Sequence, residues 1–502
     1  MSTVSRESTD PAALPLFAAA PSRPGRVRGG FSMRTHEVGV APSAAIPMPP
    51  RRGRVYNGDL DWSLIAGFRK QASDQLSAAL GQDRGRLSAQ DQRERGRAII
   101  IELLSSEAAE RVADGRDSWT IEEQADMATA IFDALFGLGR LQPLVDDDTV
   151  ENIIITGHDR VMLELVDGKL VPGPPVADSD EELIEFLVFL ASRSEVNARS
   201  FSEAQPRLHL RLDGGARLAA AAWVTPRPSV VIRRHRLRQV DLNGMVNLGA
   251  LSPLAASFLD AAVRAGKSIV VAGSQGAGKT TMVRALCASI PTWESIGTFE
   301  TEYELHLHEM TEQHPIVHAW EARPGSGERG ADGRQAGEFT LAEALFDSFR
   351  FNLSRQIVGE VRGHEILAML KAMESSRGSI STTHAPSATA AIGKLVTCAM
   401  EAGAHVTHDY AIRAIAAAID IVVHVHLETT PLADGTAQRA RWVSEIIVVE
   451  PGEQAHGYAT TSVFRAPAGT RIAVPNVLPD DYRELEAYGF DLRSFHGQQA
   501  AS

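Results

Sequence analysis

The run Gly273–Ser274–Gln275–Gly276–Ala277–Gly278–Lys279–Thr280 has the residue types and spacing of a phosphate cradle. Its glycines let consecutive backbone N–H groups turn inward onto an anion. The helix expected to open there adds positive potential at the same point. Lys279 neutralises β- and γ-phosphate charge, and the Thr280 hydroxyl is placed to ligate Mg²⁺. Thr281 follows in the same turn. The nucleotide-contacting set is therefore Ser274, Gln275, Gly276, Ala277, Gly278, Lys279, Thr280 and Thr281, with ATP and Mg²⁺ as the expected ligands.

Further segments carry candidate chemistry. Ile357–Val358–Gly359–Glu360 is an apolar stretch ending in an acid downstream of the cradle. Glu360 there would polarise the attacking water and contribute to metal binding, although the same pattern also fits a surface carboxylate at a strand end. Glu300 closes the strand expected after the cradle, and Glu302 and Glu304 follow. Acids at the C-terminal edge of parallel strands face the ligand crevice. Glu300 is thus a candidate metal ligand and water-orienting group, while alternate acids equally suit a solvated strand face. His384, in Ser381–Thr382–Thr383–His384–Ala385, follows another expected strand and would face the same edge. A lone histidine more often has a structural role.

The elements that must position these residues read as repeated strand–helix units. Strands are expected at Ser268–Ala272, Ile296–Glu300, Gln356–Glu360 and Ser379–Thr383. Helices are expected at Thr280–Ile290, Leu341–Phe349 and Glu365–Glu374. Such alternation predicts a doubly wound parallel sheet. Upstream, Asp61 caps a helix carrying Trp62, Leu64, Ile65 and Phe68, and two more helices follow at Ala89–Ala113 and from Thr120 to Gly137. Short strands are then expected at Val150–Ile155, Val161–Leu165, Leu208–Leu212, Arg217–Ala222 and Val230–Ile232, with a helix at Asp180–Ser192. Asp213–Gly214–Gly215 marks a hairpin turn. The expected organisation is a disordered tail (1–58), a helical bundle (59–140), an α+β domain (141–232), a linker (233–248), an α/β P-loop domain (249–450) and an irregular surface extension (451–502).

The bulk composition narrows the classes. The 502 residues are 44% hydrophobic and 23% charged, enough for several buried cores. A net charge of −13 argues against duplex DNA as the main partner, so no direct nucleic-acid contact is expected. Two cysteines, Cys287 and Cys398, support neither a disulfide framework nor a multi-cysteine zinc site, and both suit a reducing cytoplasm. No stretch reaches the roughly 20 apolar residues of a membrane span. Ala12–Ala20 has the look of a short signal core, but Pro15 and a single preceding Arg6 argue against one.

The ordered set of motifs resembles the type II/IV secretion ATPase superfamily, specifically its CpaF/Tad-pilus type, over about residues 60–450. The resemblance rests on Phe136–Leu144, Arg211–Leu212–Asp213–Gly214 with Arg217, Ile232–Arg233–Arg234, Ile357–Gly363 and Gly378–Ala385. It implies a RecA-like P-loop motor domain preceded by a helical bundle and a small α+β domain. It implies Glu360 as the water-activating residue, Glu300–Glu304 as the Asp box and His384 as the γ-phosphate sensor. Arg211, Arg217, Arg233 and Arg234 become candidates to reach nucleotide, a task suited to a permanently charged, bidentate group. Arg323 and Arg350 also stand where the family often carries arginine.

The chain departs from the family pattern at Glu300–Thr301, at Asn352–Leu353–Ser354–Arg355, at Glu374–Ser375–Ser376–Arg377 and in the long Glu321–Gly337 stretch. By resemblance, the protein is a homohexameric ring at the inner face of the cell membrane. It would be peripheral there, held through an inner-membrane platform protein, and would power pilus assembly or secretion. A conjugation-type motor for DNA transfer and a nucleotide-gated structural ring with weak turnover remain the alternatives.

Overall fold

The computed structural model describes residues 60–82, 88–193, 201–212, 215–234, 240–323, 325–330, 333–363, 365–375, 378–452 and 457–500. The expected tail and Asp213, Gly214, Ser376 and Arg377 lie outside these residues. The fold is α/β: a P-loop domain built on a parallel sheet, preceded by helices and a small α+β unit.

Three helices, Trp62–Gln82, Ala89–Ala113 and Ile121–Phe136, pack around Ile65, Phe68, Ile100, Leu104, Met127 and Ile131. Their starts are set locally. The Leu64 N–H donates to Asp61 Oδ1 at 3.0 Å. Ser88 and Thr120 form reciprocal capping boxes with Asp91 and Glu123.

An antiparallel sheet follows, in spatial order Arg207–Arg211, Arg217–Ala221, Ser229–Arg233, Val150–Thr156, Val161–Leu165 and Lys169–Gly173. The helix Asp180–Arg193 packs on it through Leu183 and Leu187. The strand Lys169–Gly173 was not expected. Its side chains are only half-buried and it runs into Pro172–Gly173, so it lacks the alternation that marks a strand.

The sheet of the P-loop domain places parallel strands in the order Ile421–Pro431, Ile269–Gly273, Ile380–His384, Arg355–Val361, Ile296–Glu300 and Val317–Glu321. Apolar clusters cover both faces, which is why its central strands read as continuous hydrophobic runs. The strand Ile421–Pro431 continues into an antiparallel partner, Ala437–Pro451, making a long arm. The far end of that arm pairs with the unexpected strand, Ala437 against Leu170 and Gln438 against Lys169. One continuous sheet therefore runs from the α+β unit into the P-loop domain.

Two expectations are corrected. The stretch taken as linker contains a helix, Leu242–Asn247, capped by Asp241 and anchored by Leu242 and Met245. The C-terminal extension is not an irregular surface segment. It forms the strand Tyr458–Arg465 and the helix Leu492–Gln499, and it buries Phe464, Tyr482, Phe490 and Phe495. Three of these aromatics surround Phe258, at centroid distances of 5.5 Å for Phe464, 6.2 Å for Tyr482 and 5.3 Å for Phe490. The hydrophobic drive to cover one face of the sheet fixes this segment.

Candidate nucleotide site

The buried strand Ile269–Gly273 delivers the chain to the cradle, and the helix Lys279–Cys287 leaves it. Gly278 sits at φ +92°, a left-handed turn that starts the helix without a Cβ clash. Gly273 is glycine for another reason: a Cβ there would lie 2.5 Å from the Val425 carbonyl oxygen of the neighbouring strand. The Lys279 side chain is buried and curls back over the loop. Its Nζ donates to the carbonyls of Gly273 at 3.2 Å and Ser274 at 3.0 Å. Burial pulls its pKa down to about 8, against the pull of Glu360.

The same ammonium meets His384 Nδ1 at 3.1 Å, and His384 Nε2 meets Glu360 Oε1 at 2.6 Å. Burial and the Lys279 charge lower the His384 pKa. Because an ammonium can only donate, Nδ1 accepts and the ring proton sits on Nε2, aimed at the Glu360 carboxylate. Glu360 also accepts from Arg362. Two threonines hold this edge in place. The hydroxyl of Thr382 donates to the Gly359 carbonyl at 2.8 Å, and that of Thr383 donates to the Val361 carbonyl at 3.2 Å. They flank a register shift between Val358 and Val361, where Glu360 leaves the ladder.

On the other side of Lys279, the structure corrects the sequence reading. Glu300 turns onto the backbone that follows its own strand. It is 3% exposed, and its Oε1 accepts from the backbone N–H groups of Glu304 at 2.8 Å and Leu305 at 2.9 Å. Burial pushes its pKa up to about 7 despite those two donors. Glu300 thus shapes the turn that presents Glu304. The Thr280 hydroxyl donates to Glu304 Oε2 at 2.9 Å, and Glu304 Oε1 accepts from Arg217 Nη1 at 2.5 Å. A hydroxyl beside a carboxylate at the mouth of a phosphate loop is a hard-oxygen set that fits Mg²⁺, which keeps most of its waters. Thr280 and Glu304 are the residues that would hold the metal, with Glu360 opposite.

The sequence model of the family described as Type II/IV secretion system protein matches residues 165–454, more than half of the chain. The chain belongs to that family. A protein of Mycobacterium tuberculosis named for conjugal transfer is 29% identical over 261 residues, covering 50% of this chain and 70% of that one. The type IV secretion system protein PtlH of Bordetella pertussis is 38% identical over 145 residues, covering 29% of this chain and 40% of its own length. The crystal structure of the VirB11 ATPase from Brucella suis, in complex with sulphate, superposes with a TM-score of 0.30 at 23% identity. It covers 63% of this chain and 95% of that one.

In this secretion-family chain the arginines expected to reach nucleotide separate into distinct roles. Arg217 is at the site through Glu304, and it also meets Glu302 at 3.4 Å. Arg233 lies close enough to Lys279 for its charge to lower the lysine pKa. Arg211 ends on the following turn, 3.3 Å from both His306 Nδ1 and Glu309 Oε1. Arg234 donates to the carbonyls of Asp147 and Val150 within its own unit. Arg323 donates to the Gly337 carbonyl, and Arg350 lies over Phe346. Arg362 and Arg441 were missed. Arg362 sits two residues after Glu360, and Arg441 enters from the arm, where no local motif marks it.

Among the described residues no helix is long and apolar enough to cross a membrane.

Proposed function

We propose that the protein is a Mg·ATP-hydrolysing motor for pilus assembly or secretion, of the CpaF/Tad-pilus type. It would act as a homohexameric ring, peripheral at the cytoplasmic face of the membrane, with an inner-membrane platform protein as partner. The observation that carries this reading is the convergence of Lys279, Thr280, Glu304, Glu360 and His384 from four separate strand ends. The loop amides and Lys279 bind the β- and γ-phosphates. Thr280 and Glu304 would hold Mg²⁺, which would supply positive charge beside the phosphate oxygens. Glu360 orients the attacking water and takes its proton. His384 links the phosphate-side lysine to that base, so a charge change at Lys279 is felt at Glu360.

Two observations bear on the alternatives. The acid absent at Thr301 is supplied by Glu304, which favours turnover over a purely structural ring. The conjugal-transfer name of one relative keeps DNA transfer as a second reading. Phosphate release by the purified full chain, measured together with particle mass, tests the motor reading. Wild type should release phosphate roughly 10²–10³-fold faster than Lys279→Ala, the usual cost of one electrostatic donor, and Mg·ATP should favour the ring. Equal rates with intact ATP binding would leave only a nucleotide-gated ring. Stimulation by single-stranded DNA would favour the transfer motor.

A further inference from the structure

Arg441 lies on the arm strand, opposite Leu427, and both lean on the phosphate loop. A Cβ built on Gly278 would sit 3.7 Å from Arg441 Cδ, and one on Gly276 would sit 3.9 Å from Leu427 Cδ2. The guanidinium then spans two units. Its Nε donates to the Gly276 carbonyl at 2.8 Å, and its Nη2 donates to Glu164 Oε1 at 2.5 Å. Its Nη1 lies 3.5 Å from Glu151 Oε2. Glu164 is 1% exposed, and its other oxygen accepts from Arg439 at 2.5 Å and Asn152 at 2.9 Å. An acid this buried is fixed by its partners, because losing one would leave charge unpaired.

The Gly276 carbonyl is a meaningful place to hold. In a trans peptide the carbonyl and the next N–H point in opposite directions, so fixing one fixes the plane. The other end of that plane, the Ala277 N–H, donates to the Ser274 carbonyl at 3.3 Å. The middle of the loop is thus held from inside by its own turn and from outside by Arg441.

We propose that Arg441 is a positioning residue for the phosphate loop, tying the Gly276 carbonyl through Glu164 to the N-terminal α+β unit. Nucleotide affinity then depends on where that unit sits. The proposal rests on the nucleotide-binding reading above. Arg439 grips the same carboxylate without touching the loop and provides the internal control.

The test is calorimetric titration of the full chain with Mg·ADP, with melting temperature recorded for each variant. Arg441→Ala and the near-isosteric Glu164→Gln should each weaken binding by about tenfold. The double variant should be no weaker than the worse single one, because both changes break one connection. Arg439→Ala should stay within about twofold of wild type even if its melting temperature falls. Unchanged affinity in Arg441→Ala, equal losses in Arg441→Ala and Arg439→Ala, or additive losses in the double variant would each overturn the proposal. If wild type binds Mg·ADP no better than Lys279→Ala, the nucleotide reading itself fails and this proposal falls with it.

Discussion

Behind the phosphate loop, the strand Ile269–Gly273 is fully buried between apolar neighbours. Beside the loop, Arg217, Arg439 and Arg441 meet Glu304, Glu164 and Glu151 across the seam with the N-terminal sheet. The first region is close-packed, and packing of that kind resists deformation. The second is held by ion pairs, and at its partly exposed edge an incoming anion would compete with Glu302 and Glu304 for Arg217. A triphosphate entering the cradle brings the strongest anion in the vicinity. Rigidity and response thus occupy adjacent parts of one site: the parallel sheet holds Lys279 and Glu360 still, while Arg217 would read what they hold.

Breaking the packed side should cost most. Phe258→Ala removes a ring at the centre of the cluster with Phe464, Tyr482 and Phe490. Chemical denaturation should show a loss of ~3–5 kcal/mol, nearly independent of salt. Arg217→Ala should cost less, ~1–3 kcal/mol, since its partners Glu304 and Glu302 are partly exposed. That loss should shrink as ionic strength rises, and the Mg²⁺ needed for half-maximal nucleotide binding should change with it. Equal salt dependence of the two variants would erase the distinction drawn here.

The smallest effect is a pH slope. Burial raises the Glu300 pKa to about 7, so the folded state holds a proton that the unfolded chain has released. This contribution makes stability fall as pH rises from about 4.5 to about 7. His306, lowered to about 4 by burial, acts in the opposite direction below its ordinary value. Comparing wild type with Glu300→Gln isolates the Glu300 part: the variant should lose the falling component and become relatively more stable near pH 7. A difference that is flat with pH would mean that Glu300 is ionised in the fold.

The legibility of the sequence follows the same division. The cradle, the strand ending in Glu360 and the strand ending in His384 were readable because each depends on residues adjacent in the chain. Capping residues such as Asp61 and Thr120 were readable for the same reason. Glu300 was expected where Glu304 stands beside Thr280, because strand-end position says nothing about which way the following turn points its acids. Arg441 was invisible because its partners, Gly276 and Glu164, lie far away in sequence. The long arm did carry a signal: Asp434–Gly435 between two strand-like runs marks its turn. The C-terminal aromatics needed a tertiary partner, Phe258, before their burial made sense.

On this reading Glu360 would activate water at a phosphate site built independently by Lys279 and Thr280. Single-turnover hydrolysis in Glu360→Gln, alongside equilibrium binding of Mg·ATP, tests it most directly. Binding should stay within a few-fold of wild type and hydrolysis should slow by roughly 10²–10⁴-fold, the usual contribution of a positioned base. Hydrolysis in Glu360→Gln at the wild-type rate, with binding intact, would contradict it.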